Sequence, residues 1–77
     1  MMRMMATTID YSWLGKVENE FRSSIYEIKD IQYMDRVKIF TYVDIGQEES
    51  FKGWVTELTN GQAEISEGDI LYVEIPV

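Results

Sequence analysis

Seventy-seven residues make one domain and are too few for two, and a chain of this size buries only about 60% of the surface it exposes when unfolded. The absence of cysteine and histidine excludes a disulfide framework, thiolate chemistry, and the commonest zinc ligand and general base. Seven basic against fourteen acidic residues leave a net charge of −7, which repels phosphate backbones at long range.

The charge is uneven. Residues 1–43 hold six basic and six acidic side chains, whereas residues 44–77 hold Lys52 alone against eight carboxylates. A nucleic-acid contact would therefore have to be local and confined to the first half, and the acidic half reads first as a solvated surface. No apolar run approaches the roughly 20 residues that span a bilayer. The opening MMRMM is too short for a signal peptide. The expectation is a soluble, cytoplasmic protein with no membrane partner.

Residues 4–10, with Thr7, Thr8 and Ile9, are acceptable as a first strand. Asp10 or Ser12 then caps a helix over 12–23, in which Tyr11, Leu14, Val17 and Phe21 form one stripe. Gly15 lies next to that stripe, where glycine costs a helix about 1 kcal/mol against alanine. The expectation is a packing residue that lets the helix cross the sheet closely, with a substrate contact as the lesser reading.

Residues 24–33 alternate, but the parity slips between Ile28 and Ile31, which predicts a β-bulge near Lys29 or Asp30. Met34-Asp35 is expected as a tight hairpin turn, and residues 36–43 alternate cleanly as a third strand. Phe51, Trp54, Val55 and Leu58 then mark a second helix over 47–59, stopped by Asn60-Gly61 in left-handed conformation. A strand over 62–66, interrupted at Glu67-Gly68-Asp69, resumes over 70–75. The order predicts an α+β, ferredoxin-like βαββαβ sandwich, a four-stranded antiparallel sheet with both helices on one face.

The inventory for catalysis is poor. No recognised nucleophile motif surrounds any Ser, Thr or Lys, and DIGQEESF does not have the spacing of a calcium loop. The carboxylate pairs Glu18/Glu20, Glu48/Glu49 and Glu67/Asp69 read as solvated caps and turns. We expect no enzyme, no cofactor and no metal site.

The uncovered sheet face is the informative surface. Arg36, Lys38, Phe40 and Tyr42 are expected there from the third strand and Ile70 and Tyr72 from the fourth, with Glu74 beside them. Tyr26 and Tyr33 join them or not according to the bulge. Exposed aromatics of this kind mark an interaction surface. One reading is base stacking on RNA, with Arg36 and Lys38 meeting phosphates. The other is docking of a protein, a neighbouring domain or a second copy. The missing RNP-type run and the net charge favour the protein.

TIDYSWLGKVENEFRSS, IKDIQYMDRVKIFTYV and WVTELTNGQAEISEGDILYVEIPV together resemble the C-terminal domain of the IMPACT/YigZ family, over residues 7–77. The most specific parts are Asp10-Tyr11 through Gly15-Lys16, Thr59-Asn60-Gly61-Gln62, and Tyr72 with Pro76-Val77. The resemblance implies a fold similar to the fifth domain of elongation factor G. It also implies a larger N-terminal partner domain, similar to the fourth domain of that factor, which carries the family's motif-rich site. MMRMMA stands where the linker between the two is expected, so residues 1–6 are expected as a disordered or linker remnant and 7–77 as the domain. On this resemblance the chain is a separately expressed domain, a truncated gene or a stand-alone relative. The implied function is an accessory binding domain that contacts RNA, ribosomes or the translation machinery, with protein docking or a weak homodimer as the alternative.

Overall fold

The computed structural model describes residues 2–71. Strand β1 (Met2–Ile9) leads through a 3₁₀ turn (Tyr11–Trp13) into helix α1 (Leu14–Arg22). Strands β2 (Ile28–Tyr33) and β3 (Val37–Asp44) follow, then a second 3₁₀ turn (Ile45–Gln47), helix α2 (Glu48–Leu58) and strand β4 (Glu64–Leu71). The strands form one antiparallel sheet in the order β2-β3-β1-β4, the expected ferredoxin-like arrangement.

Period-two patterning decides which side of the sheet is covered. In β3, Val37, Ile39, Thr41 and Val43 are buried, while Lys38, Phe40 and Tyr42 between them are half-buried. Ile9, Thr7 and Met5 of β1 stand opposite Val37, Ile39 and Thr41 and are buried as well. Onto this side pack Val17 and Phe21 of α1 and Phe51 and Val55 of α2. Phe21 and Phe51 meet edge-to-face at 6.0 Å between centroids, which locks the two helices together over the sheet.

The strand expected over 4–10 begins earlier, at Met2, so residues 2–6, also expected as a disordered or linker remnant, are the first part of a central strand. Every residue from Met2 to Ile9 is paired with β3, and Met5 is fully buried. Methionine has little β propensity, but its unbranched side chain fills an irregular gap, and burial between two strands overrides the local preference.

Gly15 is not the packing residue its position suggested. It is exposed on α1, and a methyl group added there would meet nothing within 4 Å. The glycine that is packed tightly is Gly68, where an added Cβ would stand 3.2 Å from the carbonyl oxygen of Met4. The break expected at Glu67-Gly68-Asp69 is a bulge in a continuous β4. Glu67 faces Met5 and Ile70 faces Arg3, so three steps on β4 match two on β1.

The bulge read from the parity slip lies where it was expected. Ile28 pairs with Thr41 and Asp30 with Phe40, leaving Lys29 as the extra residue, and both Ile28 and Ile31 fall on the helix side. Tyr26 therefore belongs to that side, at 4.9 Å from Phe51 and 5.3 Å from Trp54, and not to the open face. Tyr33 is exposed but pairs with Val37, again in helix-side register. The β2–β3 connection holds three residues rather than two, closed by the Met34 N–H on the Arg36 carbonyl at 3.2 Å. Asn60 (φ 52°) and Gly61 (φ 76°) end α2 as expected, with the Gly61 N–H on the Thr56 carbonyl at 2.8 Å.

Candidate functional site

The side of the sheet away from the helices is bare among the described residues, and register assigns its side chains. Tyr42, Phe40 and Lys38 of β3 stand opposite Met4, Ala6 and Thr8 of β1. Beyond β1, Ser66 faces Ala6 and Glu64 faces Thr8. Beyond β3, Asp30 faces Phe40 and Gln32 faces Lys38. The centre is thus apolar, made of Met4, Ala6, Phe40 and Tyr42, and a polar margin surrounds it.

Ion pairs hold both ends of that margin. At the hairpin end Arg36 reaches Glu64 at 3.1 Å. At the other end Lys29, pushed out by its bulge, sits 5.6 Å from the centroid of the Tyr42 ring and 3.2 Å from Glu27. A shallow groove lined by Met4, Lys29, Asp30, Gln32, Phe40 and Tyr42 runs between these elements.

Four of the six residues expected at the binding surface come together here: Arg36, Lys38, Phe40 and Tyr42. Ile70 stands opposite Arg3 in the β1–β4 register, and Tyr72 lies outside the described residues. The sequence reading placed Met4, Ala6 and Thr8 within the strand expected over 4–10 but did not count them on the open face. The alternation of Met5, Thr7 and Ile9 was the available signal, since a strand with those three inward must show 4, 6 and 8 outward.

A second charged cluster lies on the opposite side and does not belong to this face. Arg3 of β1 contacts Glu48 of α2 at 2.6 Å and Glu67 of β4 at 3.4 Å. Lys52 of α2 pairs with the same Glu67 and lies 3.8 Å from Glu49. The Arg3 Nε and Glu48 Oε1 atoms are buried against each other as an ion pair without an aligned hydrogen bond. This network clamps α2 to the two strands beneath it. Among the described residues no three His, Cys, Asp or Glu side chains stand together as a metal set. No helix of the described residues is long and apolar enough to cross a membrane.

The family described as "Domain of unknown function (DUF1949)" matches residues 7–62. IMPACT family member YvyE of Bacillus subtilis (strain 168) is 47% identical over 74 residues, which is 96% of this chain and 34% of that protein. The chain therefore spans about a third of the length of the curated relative it matches. The Lys29 bulge, the Asn60-Gly61 stop and the α1 entry all fall inside the family match. The chain belongs to the DUF1949 family, the C-terminal accessory domain of IMPACT-family proteins.

Proposed function

We propose that this domain is a non-catalytic accessory module that docks a protein surface through the bare face of its sheet. The observation that supports it is the layout of that face, an apolar centre of Met4, Ala6, Phe40 and Tyr42 inside a margin of balanced charge. That is the anatomy of a protein interface, in which the dry centre supplies the affinity and the rim the register. With Arg36 on Glu64 and Lys29 on Glu27, little cationic charge is left to attract a phosphate backbone to a chain of net charge −7. The first partner to consider is the remainder of an IMPACT-family protein, since the relative is about three times as long as this chain.

The test is a titration of the isotope-labelled domain with the part of YvyE that this chain does not span, followed by amide shifts. Perturbations concentrated on β1 and β3, and lost in Phe40→Lys, are expected. Perturbations confined to α1 and α2 would refute the reading.

A second reading, contact with RNA or the translation machinery, has one observation in its favour. The Phe40 and Tyr42 rings lie on an open sheet beside Lys29 and Lys38, the side-chain types on which bases stack. It requires Lys29 to share the Tyr42 ring with an incoming base. Binding of a labelled single-stranded RNA that weakens steeply with added salt would favour it over protein docking.

A further inference from the structure

The connection between α2 and β4 carries a chemistry of its own. The chain has two asparagines, Asn19 followed by Glu20 inside α1 and Asn60 followed by Gly61 just beyond α2. An asparagine side chain is open to attack by the backbone nitrogen of the next residue, and a glycine, lacking a Cβ, leaves that nitrogen least hindered. The deprotonated Gly61 nitrogen bonds to the side-chain carbonyl carbon of Asn60, ammonia leaves, and a cyclic imide forms. Water then opens the imide at one of its two carbonyls. Aspartate results when the side-chain bond breaks, and isoaspartate when the main-chain bond breaks and the backbone is rerouted through the side chain. Water is the only co-reactant.

The fold presents this site to solvent and at the same time locks it. Asn60 and Gly61 are exposed, but both lie in left-handed conformation, at φ 52° and 76°. The Gly61 N–H is donated to the Thr56 carbonyl at 2.8 Å, and the Asn60 N–H to the Glu57 carbonyl at 3.3 Å. The Gly61 nitrogen attacks only after losing the proton held in that bond, so the bond to Thr56 must open first. Thr59 anchors the lock from behind. It is fully buried, its hydroxyl donates to the Val55 carbonyl at 2.9 Å, and it accepts from the Ala63 N–H at 3.2 Å. What has to open is one turn at a helix end, which costs far less than unfolding the domain.

Neither product fits the place it came from. The last turn of α2 has no basic residue and already carries exposed Glu57. Aspartate at position 60 adds a carboxylate at the negative end of the helix dipole. Isoaspartate lengthens the main chain by a methylene just before Gly61, which draws its N–H away from the Thr56 carbonyl it caps. Hydrolysis is not reversed, so each conversion loosens the end of α2 for good.

We propose that Asn60-Gly61 is a self-modifying site, deamidated with water as co-reactant, closed in the folded domain by the Gly61–Thr56 hydrogen bond and opened by fraying of the last turn of α2. It is independent of the docking reading, because the site lies between α2 and β4 and not among the open-face residues.

Timed incubation of the 77-residue chain at mildly alkaline pH tests it, read by peptide mass spectrometry and by isoaspartate-specific carboxyl methylation. Conversion is expected at Asn60 and not at Asn19. It should run at least about tenfold slower in the folded chain than in the chain unfolded by urea, equivalent to about 1.4 kcal/mol for opening the turn. Within the folded baseline the rate should stay nearly flat as urea rises, since opening one turn exposes little surface. Thr59→Val removes the anchor and should raise the folded rate several-fold while leaving the rate of the unfolded chain unchanged. Circular dichroism checks that this variant is folded; were it to unfold, the parent's folded and unfolded rates and the urea series would still decide. Equal rates in the folded and unfolded chains overturn the lock, as does an unchanged rate in a folded Thr59→Val protein. A rate that climbs with urea in step with global unfolding overturns opening by fraying. An Asn60 that stays intact in the unfolded chain overturns the site itself.

Discussion

The Tyr11 hydroxyl donates to the Met34 carbonyl at 2.6 Å, tying the turn before α1 to the hairpin between β2 and β3, twenty-three residues away in sequence. A single hydrogen bond of this kind contributes about 0.5–1.5 kcal/mol net. Tyr11 is 46% exposed, so water competes for the carbonyl and the lower part of that range applies. Tyr11→Phe should lower stability by about 0.5–1 kcal/mol, read as a lower urea midpoint at unchanged slope. An unmoved midpoint would show that the contact contributes nothing in solution.

The glycines separate by geometry. Gly15 has helical neighbours, open space around it and no positive φ, so Gly15→Ala should raise stability by about 0.5–1 kcal/mol through helix propensity. Gly61 sits at φ 76°, so Gly61→Ala should lower stability by about 1–2 kcal/mol. Thermal unfolding of both variants, run side by side, checks the opposite signs.

Thr7 and Thr41 are fully buried under the helices, and neither hydroxyl oxygen has a hydrogen-bond partner. Leaving a hydroxyl unpaired in the interior costs about 1–3 kcal/mol, so replacing it by a methyl of similar size removes that cost. Thr41→Val should stabilise the fold by about 1 kcal/mol. Thr59 is an internal control, because its hydroxyl donates to the Val55 carbonyl at 2.9 Å and accepts from the Ala63 N–H at 3.2 Å. Thr59→Val should therefore destabilise, and equal effects at both positions would contradict the assignment.

Acid and base should unfasten the clamp on α2 from opposite sides. The hydrogen bond from Lys52 holds the Glu67 carboxyl below its ordinary value of 4.5, with the Lys52 and Arg3 charges adding. The same hydrogen bond, with the charges of Glu67, Glu49 and Glu48, lifts Lys52 above its ordinary 10.5. The depressed carboxyl contributes stability that is complete above 4.5 and fades as pH falls through its folded value. The raised ammonium contributes stability that is present below 10.5 and fades as pH climbs through its folded value. Both groups are solvent-accessible, so the effect is modest and weakened by salt. The urea midpoint of Glu67→Gln should fall less than that of the parent below about pH 4.5. Parallel acid limbs in the two proteins would show that the pair is inert.

The elements legible in the sequence were those with one strong period. Val37 to Val43 alternates, Phe51 to Leu58 repeats at helical spacing, and the slip between Ile28 and Ile31 located the Lys29 bulge, because each pattern follows from which side is buried. The first strand was legible only in part. Its partner strand lies more than thirty residues downstream, and no local preference of a methionine-rich run announces that pairing. Gly15 misled for a related reason: sequence shows where a glycine stands along a helix, but not which side of the helix is covered. On the candidate face, the β3 residues were found from parity alone, while Met4, Ala6 and Thr8, inside the strand expected over 4–10, needed the β1–β3 register to place them beside Tyr42, Phe40 and Lys38.

Both outermost strands carry a bulge, β2 at Lys29 and β4 beside Gly68. A kinked border cannot template a straight incoming strand, and the lysine on one side adds a charge that a fibril would have to strip of water. Growth by addition of strands at the rim is thereby blunted on the left and on the right. The half-buried rings of its open side thus lie between borders whose geometry resists the strand-by-strand addition that builds endless stacks.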